Sequence, residues 1–279
     1  MASDEVKSET YEVMEEEEEE AAMVSLGSYG GKVRLLAEGE ESAAEEIMLL
    51  WAIQQPTLSK PNAFVSQSSL TLRLDSCGHS LSILQSPSSL STPGVTGSVM
   101  WDSGVVLGKF LEHSVDSGML VLQGKKIVEL GSGCGLVGFI AALLGGQVIL
   151  TDLPDRLRLL RKNIETNMKH VDVRGTVMAT ELIWGEDPDL ELTEPAPDYV
   201  LGSDVVYSEN AVVDLLVTLG QLSRPKTTIL LAGELRNDAI LEYFFEAAMR
   251  NFTIGRVDQT LWHPDYHSNR VAIYVLVKK

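Results

Sequence analysis

The turn at residues 129–135 limits the possible folds of this chain more than any other feature. An apolar run, Ile127-Val128-Glu129-Leu130, passes directly into Gly131-Ser132-Gly133-Cys134-Gly135, and a second apolar run follows at 136–144. A short buried strand, a glycine turn and a helix in immediate succession belong to few architectures. The glycines permit a tight bend and let the backbone approach a ligand with no Cβ in the way. Gly145-Gly146 then closes the helix, as glycine does at helix C-termini. The next apolar run, 147–151, ends at Asp152. In an open parallel sheet, a ligand binds beyond the carboxyl ends of the strands at such a turn.

The rest of the chain from residue 99 repeats this alternation. Helical spacing of apolar residues marks 105–113, 211–222 and 238–250, and an amphipathic helix with Pro154 near its start covers 154–169. Strands are expected at 126–130, 147–151, 176–180, 199–202, 227–232, 252–257 and 270–277. The order predicts an α/β, Rossmann-like fold, a mostly parallel sheet covered by helices. The last two strands are joined by a loop too short for a helical crossover, so the C-terminal strand should pair antiparallel. Ahead of this unit, 43–55 reads as a helix stopped by Pro56, and 65–85 alternates as an N-terminal β-hairpin around a glycine turn. Residues 86–97 are rich in Ser, Pro and Gly and read as a loop. The expected division is a disordered acidic tail at 1–42, a helix-and-hairpin extension at 43–98, and the α/β domain at 99–279.

The net charge of −18 is concentrated in the first 46 residues, which include the run Glu15 to Glu20. Like charges in such a block repel one another and bury nothing. The acidic balance offers no footprint for nucleic acid. No apolar run is long enough for a membrane helix, and no secretory or transit signal is visible. With two cysteines, Cys77 and Cys134, there is neither a disulfide framework nor a metal quartet. A reducing home, the cytoplasm with the nucleus as a second location, is expected, and so is a monomer.

A carboxylate at Asp152 is placed to accept hydrogen bonds from both hydroxyls of a ribose. Two nucleoside cofactors meet that description, NAD and S-adenosylmethionine (SAM). Gly133-Cys134-Gly135-Leu136-Val137-Gly138 satisfies G-x-G-x-x-G, which alone is a weak signal. Counted from Gly131, the third glycine required for a dinucleotide falls on Leu136. Glu129 places an acid at the mouth of the loop, suited to a cationic sulfonium and averse to a pyrophosphate. The register therefore favours SAM.

Glu129-Leu130-Gly131-Ser132-Gly133 with Asp152, Val99-Met100-Trp101-Asp102, Glu181-Leu182-Ile183-Trp184-Gly185, and the segment 197–207 ending Ser203-Asp204-Val205-Val206-Tyr207 together resemble the seven-β-strand, class I, SAM-dependent protein-lysine methyltransferases, a group acting on chaperones and translation factors. The resemblance spans about residues 65–279. It implies a seven-stranded class I methyltransferase fold, SAM as cofactor and a protein substrate, with methyl transfer to a side-chain nitrogen, lysine first. It also implies that Gly131, Ser132 and Gly133 cradle the methionine portion and that Asp152 holds the ribose. Trp184 would stack near the adenine, with Trp101 and Ser203 lining the cofactor. Asp204 and Tyr207 would face the incoming nitrogen, and Asn163 would be structural. Each residue also has an ordinary reading. The tryptophans suit a core, Asp204 suits a helix cap, Cys134 suits packing, and the His263/His267 pair falls short of a metal ligand set. Another amine acceptor (arginine, histidine or a small molecule) and a non-catalytic SAM-binding scaffold remain open alternatives.

Overall fold

Residues 23–36, 39, 42–54, 62–91, 97–169 and 174–279 are described by a computed structural model of the protein. Two strands, β1 (Met23–Leu26) and β2 (Tyr29–Leu35), and a helix, α1 (Ser42–Gln54), come first. The hairpin of β3 (Thr71–Ser76) and β4 (His79–Leu84) forms a separate two-stranded sheet. After α2 (Asp102–Asp116) the alternation begins: β5 (Lys126–Leu130), α3 (Leu136–Leu143), β6 (Gln147–Asp152), α4 (Leu157–Met168), β7 (Thr176–Glu181), a single turn α5 (Leu190–Thr193), β8 (Tyr199–Ser203), α6 (Glu209–Leu222), β9 (Thr228–Glu234) and α7 (Asp238–Ala248). The chain closes with β10 (Phe252–Val257) and β11 (Val271–Lys278).

The main sheet has the order β1-β2-β10-β11-β9-β8-β5-β6-β7. The five strands from β7 to β9 run parallel. β11 lies antiparallel to both β9 and β10, as the short connection requires. The order reverses between β5 and β8, so the crevice opens beyond the carboxyl ends of those two strands. Helices α2, α3 and α4 and the hairpin pack on one face around Ile127, Val148 and Ile273. Helices α1, α6 and α7 pack on the other around Val128, Leu130 and Ile229. Because side chains alternate across a strand, Glu129 points to the α3 face between two neighbours that point the other way.

Two expectations need correction. Residues 23–35 are not tail: β1 and β2 extend the sheet to nine strands by pairing with the edge of β10. Tyr29, Gly31 and Val33 are buried while Gly30 and Lys32 are exposed, the period-two pattern of a half-buried strand. Val33 fills the space left by Gly255, where a Cβ would meet the Val33 side chain. The neighbouring acidic run and the paired glycines obscured that alternation. The polyglutamate segment lies outside the described residues. Helix α4 begins at Leu157, leaving Pro154 in the preceding turn.

Hairpin, helix and glycine loop are tied together by two asparagines. Asn167 accepts from the Ser82 N–H at 2.7 Å and donates to the Ser82 carbonyl at 3.1 Å. Asn163 does the same with Leu84 at 2.8 and 3.0 Å, and also donates to the Cys134 carbonyl at 3.0 Å. Four residues along a helix rise about 6 Å, and two residues along a strand about 7 Å. Side-chain amides four apart on α4 can therefore serve as a pairing partner for alternate residues of β4. Replacing Asn163 with Ala strands buried backbone groups at both ends. Asn163→Ala is expected to destabilise the protein by about 2–3 kcal/mol, read from urea unfolding, and a loss within error of zero would remove this structural role.

Candidate functional site

The turn after β5 is folded back on the end of β6. Ser132 N–H donates to the Thr151 carbonyl at 2.9 Å, and Thr151 N–H donates to the Ser132 hydroxyl at 3.1 Å. Gly133 N–H donates to Asp152 Oδ2 at 2.7 Å, and Leu153 N–H to Oδ1 at 2.8 Å. Gly131 and Gly133 have φ of +58° and +53°, the left-handed region that disfavours a side chain. A Cβ on Gly133 would lie 2.8 Å from the Gly97 carbonyl oxygen, so the loop closes against residue 97 as well.

This loop floors a cavity of about 340 Å³, within the usual range of about 300–1,000 Å³ for small-molecule sites. Trp101, Glu129, Gly131, Ser132, Gly133, Asp152, Trp184, Ser203, Asp204 and Tyr207, the residues singled out by sequence, all line it. Met100, Gly104, Arg156 and Asp214 also line it and were missed. The Trp184 ring covers the turn, 3.2 Å from where a Gly131 Cβ would stand, and lies 6.2 Å from the Tyr207 ring at 44°. Tyr207 is 53% exposed, so it forms the rim on the solvent side. Cys134 is buried and the surrounding apolar atoms push its thiol up to about 12, as befits a packing residue.

Glu129 does not behave as the free anion expected at the loop mouth. It is 1% exposed, and its carboxylate accepts the Gly138 N–H in the first turn of α3 at 3.0 Å. Burial pushes its carboxyl up to about 8, against the opposing effect of the Gly138 and Ser132 hydrogen bonds. At neutral pH it is therefore largely uncharged; it ties the helix start to the strand and also lines the cavity.

Asp204 sits at the end of β8 with φ +60°, one of two non-glycine residues with positive φ among those described. Its N–H donates to the Ala232 carbonyl at 2.7 Å. It does not cap the next helix, because the Ser208 hydroxyl takes the Ala211 N–H at 3.3 Å. Instead the Asp204 carboxylate pairs with Arg236, a residue the sequence reading passed over. The Arg236 guanidinium lies 4.0 Å above the Trp101 ring. Its position just past the carboxyl end of β9 was the one available signal, since that edge of the sheet is where ligands bind.

The donor set fits SAM better than a dinucleotide. Asp152 and Asp214 line the cavity with Arg156, and Asp204 lines it paired with Arg236. A sulfonium is favoured in such surroundings and a pyrophosphate is not. Among the described residues, no group of three or more His, Cys, Asp or Glu is arranged to hold a metal ion.

Because burial in the folded state raises the Glu129 pKa from its ordinary value of 4.5 to about 8, the native protein binds a proton that the unfolded chain has released. Stability from this group is complete below about pH 4.5 and declines as pH rises through 8. Glu129→Gln keeps an acceptor for Gly138 and removes the titration. Thermal melts from pH 5 to 9 should show wild type losing stability relative to the variant as pH rises, and parallel curves would contradict the protonated carboxyl.

A sequence profile of the lysine methyltransferase family matches residues 80–250, more than half of the chain. The chain is 42% identical over 161 residues to protein N-lysine methyltransferase METTL21A of Mus musculus, covering 57% of this chain and 70% of that protein. It is 38% identical over 181 residues to the METTL21A of Danio rerio, covering 64% and 77%. It is 39% identical over 183 residues to EEF1A lysine methyltransferase 3 of Mus musculus, covering 65% and 73%. The strand order, the glycine turn and its acid-lined cavity now stand beside a family match running from the hairpin to the end of α7, and the chain belongs to the lysine methyltransferase family, with SAM as its methyl donor.

Proposed function

We propose that the protein methylates the side-chain amine of a lysine on another protein, and that Asp204 and Tyr207 receive that amine. One observation carries this reading: a single cavity joins the cofactor-sized hollow over the glycine turn to Asp204 and Tyr207 at its exposed rim. A cofactor held inside would be within reach of a protein side chain entering at that rim.

Gly131, Ser132 and Gly133 would hold the methionine portion through backbone, and Asp152 would take the ribose hydroxyls. Trp184 would lie near the adenine, while Trp101 and Ser203 would complete the wall. Bound SAM supplies an electrophilic methyl on a cationic sulfur. The lysine nitrogen must reach it without its proton, and a free lysine with a pKa near about 10.4 is almost wholly charged at pH 7. Asp204 accepts a hydrogen bond from the amine and Tyr207 walls its approach. Orientation provides most of the acceleration.

The substrate class we favour is a chaperone or translation factor. One relative is named for EEF1A, and its matched region covers most of that protein. The acidic balance of −18 argues for a protein acceptor and against nucleic acid or an anionic membrane. No helix among the described residues is long and apolar enough to cross a bilayer. Both cysteines are free, in keeping with a reducing compartment, and we place the reaction in the cytoplasm, with the nucleus as a second location, and the enzyme as a monomer.

Incubation with labelled SAM and a methyl-poor cell extract, followed by mass spectrometry, should find methyllysine on a protein. Label on arginine or in RNA, or no label at all, would overturn the reading. Asp204→Ala and Tyr207→Phe should each lower turnover at least tenfold with SAM affinity retained in calorimetry, as expected when orientation of the acceptor is lost. Asp152→Ala should weaken SAM binding at least tenfold, because charge-assisted hydrogen bonds of about 1.5–3 kcal/mol each are removed. Unchanged SAM affinity in that variant would reject the ribose role.

A further inference from the structure

We propose that Arg236 is a positioning residue for methyl transfer: it neutralises Asp204, so that the site receives the acceptor lysine as a neutral amine rather than as an ammonium. The proposal rests on the lysine-methylating function stated above.

An acceptor site built around a bare carboxylate has a chemical defect. An anion within about 4–6 Å favours the charged form of a nearby amine and raises its pKa by about 1–3 units. Asp204 alone would bind lysine well and hold it in the unreactive state. In the structure Asp204 is not alone. Arg236 Nη2 pairs with Asp204 Oδ2, and Asp204 Oδ1 accepts the Glu234 N–H at 3.3 Å. The other side of the guanidinium, Nε, lies 3.5 Å from Glu234 Oε2. Glu234 has a fully buried side chain, and its Oε2 also takes Arg270 at 3.2 Å while Oε1 accepts the Asp102 N–H at 3.0 Å. Asp204, Arg236, Glu234 and Arg270 thus form a chain of alternating charges that sums to zero.

Arg236 is fixed by this arrangement rather than waiting to be displaced. Its planar fork spans two carboxylates and stacks on Trp101. Burial and the neighbouring Arg270 pull its pKa down to about 10, which leaves it charged at neutral pH. Of the other charged groups at the cavity, Arg156 pairs with Asp155 at 3.2 Å. Asp102, at the start of α2, accepts the Ala63 and Phe64 N–H groups. Asp238, at the start of α7, accepts the Trp51 indole N–H. Asp152 and Asp214 face the Tyr207 hydroxyl across the cavity and, with burial, keep its proton on.

In this setting the incoming ammonium gives its proton to water. The freed lone pair forms the N–C bond, and the electrons of the C–S bond stay on sulfur. Asp204 still accepts a hydrogen bond from the amine, without the net charge that would retain the proton.

The test is the pH dependence of turnover, measured with the full chain, labelled SAM and the purified extract protein that wild type labels on lysine. In Arg236→Gln, kcat at pH 7.5 should fall at least tenfold and the rising limb of the kcat profile should move up by about one pH unit or more. Activity then recovers at high pH, KM falls or is unchanged, and SAM affinity is retained. In Arg236→Lys, which keeps the charge, the limb should stay where wild type has it. In Asp204→Asn the limb should move down, since the remaining Arg236, Glu234 and Arg270 carry a net positive charge that disfavours an ammonium. An Arg236→Gln loss that is equal at all pH values would mark a merely structural role and overturn the proposal, as would an unshifted Asp204→Asn limb. If wild type labels no lysine at all, the proposed function itself fails, an outcome distinct from an active enzyme with an unmoved profile.

Discussion

The junction between β5 and β6 is the contact on which the site depends. A glycine turn by itself has many conformations, and nothing in it dictates a ligand. Here Ser132 and Thr151 exchange hydrogen bonds through backbone and hydroxyl, and Asp152 takes the Gly133 N–H. These contacts hold Gly131 and Gly133 of the turn in the left-handed region. Asn163 then fastens the Cys134 carbonyl to α4 and, through Leu84, to the hairpin. A cradle fixed in this way loses little entropy when a ligand enters. Its precision comes from neighbouring elements rather than from the loop.

The same economy governs the charges. Several carboxylates line one cavity, an arrangement that would be strongly self-repelling if all were free. The structure treats each differently. Burial keeps Glu129 largely protonated and tied to α3. Asp152 is raised by burial and restrained by two backbone N–H donors and Arg156. Asp204 is matched by Arg236. Four acids on one surface thereby differ in state: Glu129 anchors a helix, Asp152 holds two backbone N–H groups, Asp204 pairs with Arg236, and Asp214 lines the cavity with Tyr207.

Much of the fold was legible because it follows from periodicity. The short apolar runs at 126–130, 147–151 and 252–257 are strands within a residue or so of their predicted bounds, since strands buried on both faces can hardly be anything else. The antiparallel last strand followed from connection length. What escaped was non-local or masked. β1 and β2 were hidden because Tyr29, Gly31 and Val33 acquire meaning only against the edge of β10. The protonation of Glu129 escaped because a sequence gives the position of a carboxyl but not its burial. Arg236 was overlooked because it lies 32 positions from Asp204 along the chain and carries no motif of its own.

The sequence by itself determined the alternating architecture, the glycine turn and the acid that ends the following strand. These depend on local steric freedom and on side-chain period, which neighbours along the chain specify. Only the tertiary structure decided which carboxylates carry charge and which cation stands beside Asp204. Ionisation depends on solvent exclusion and on groups a few ångströms away in space, and the chain's order does not record those distances.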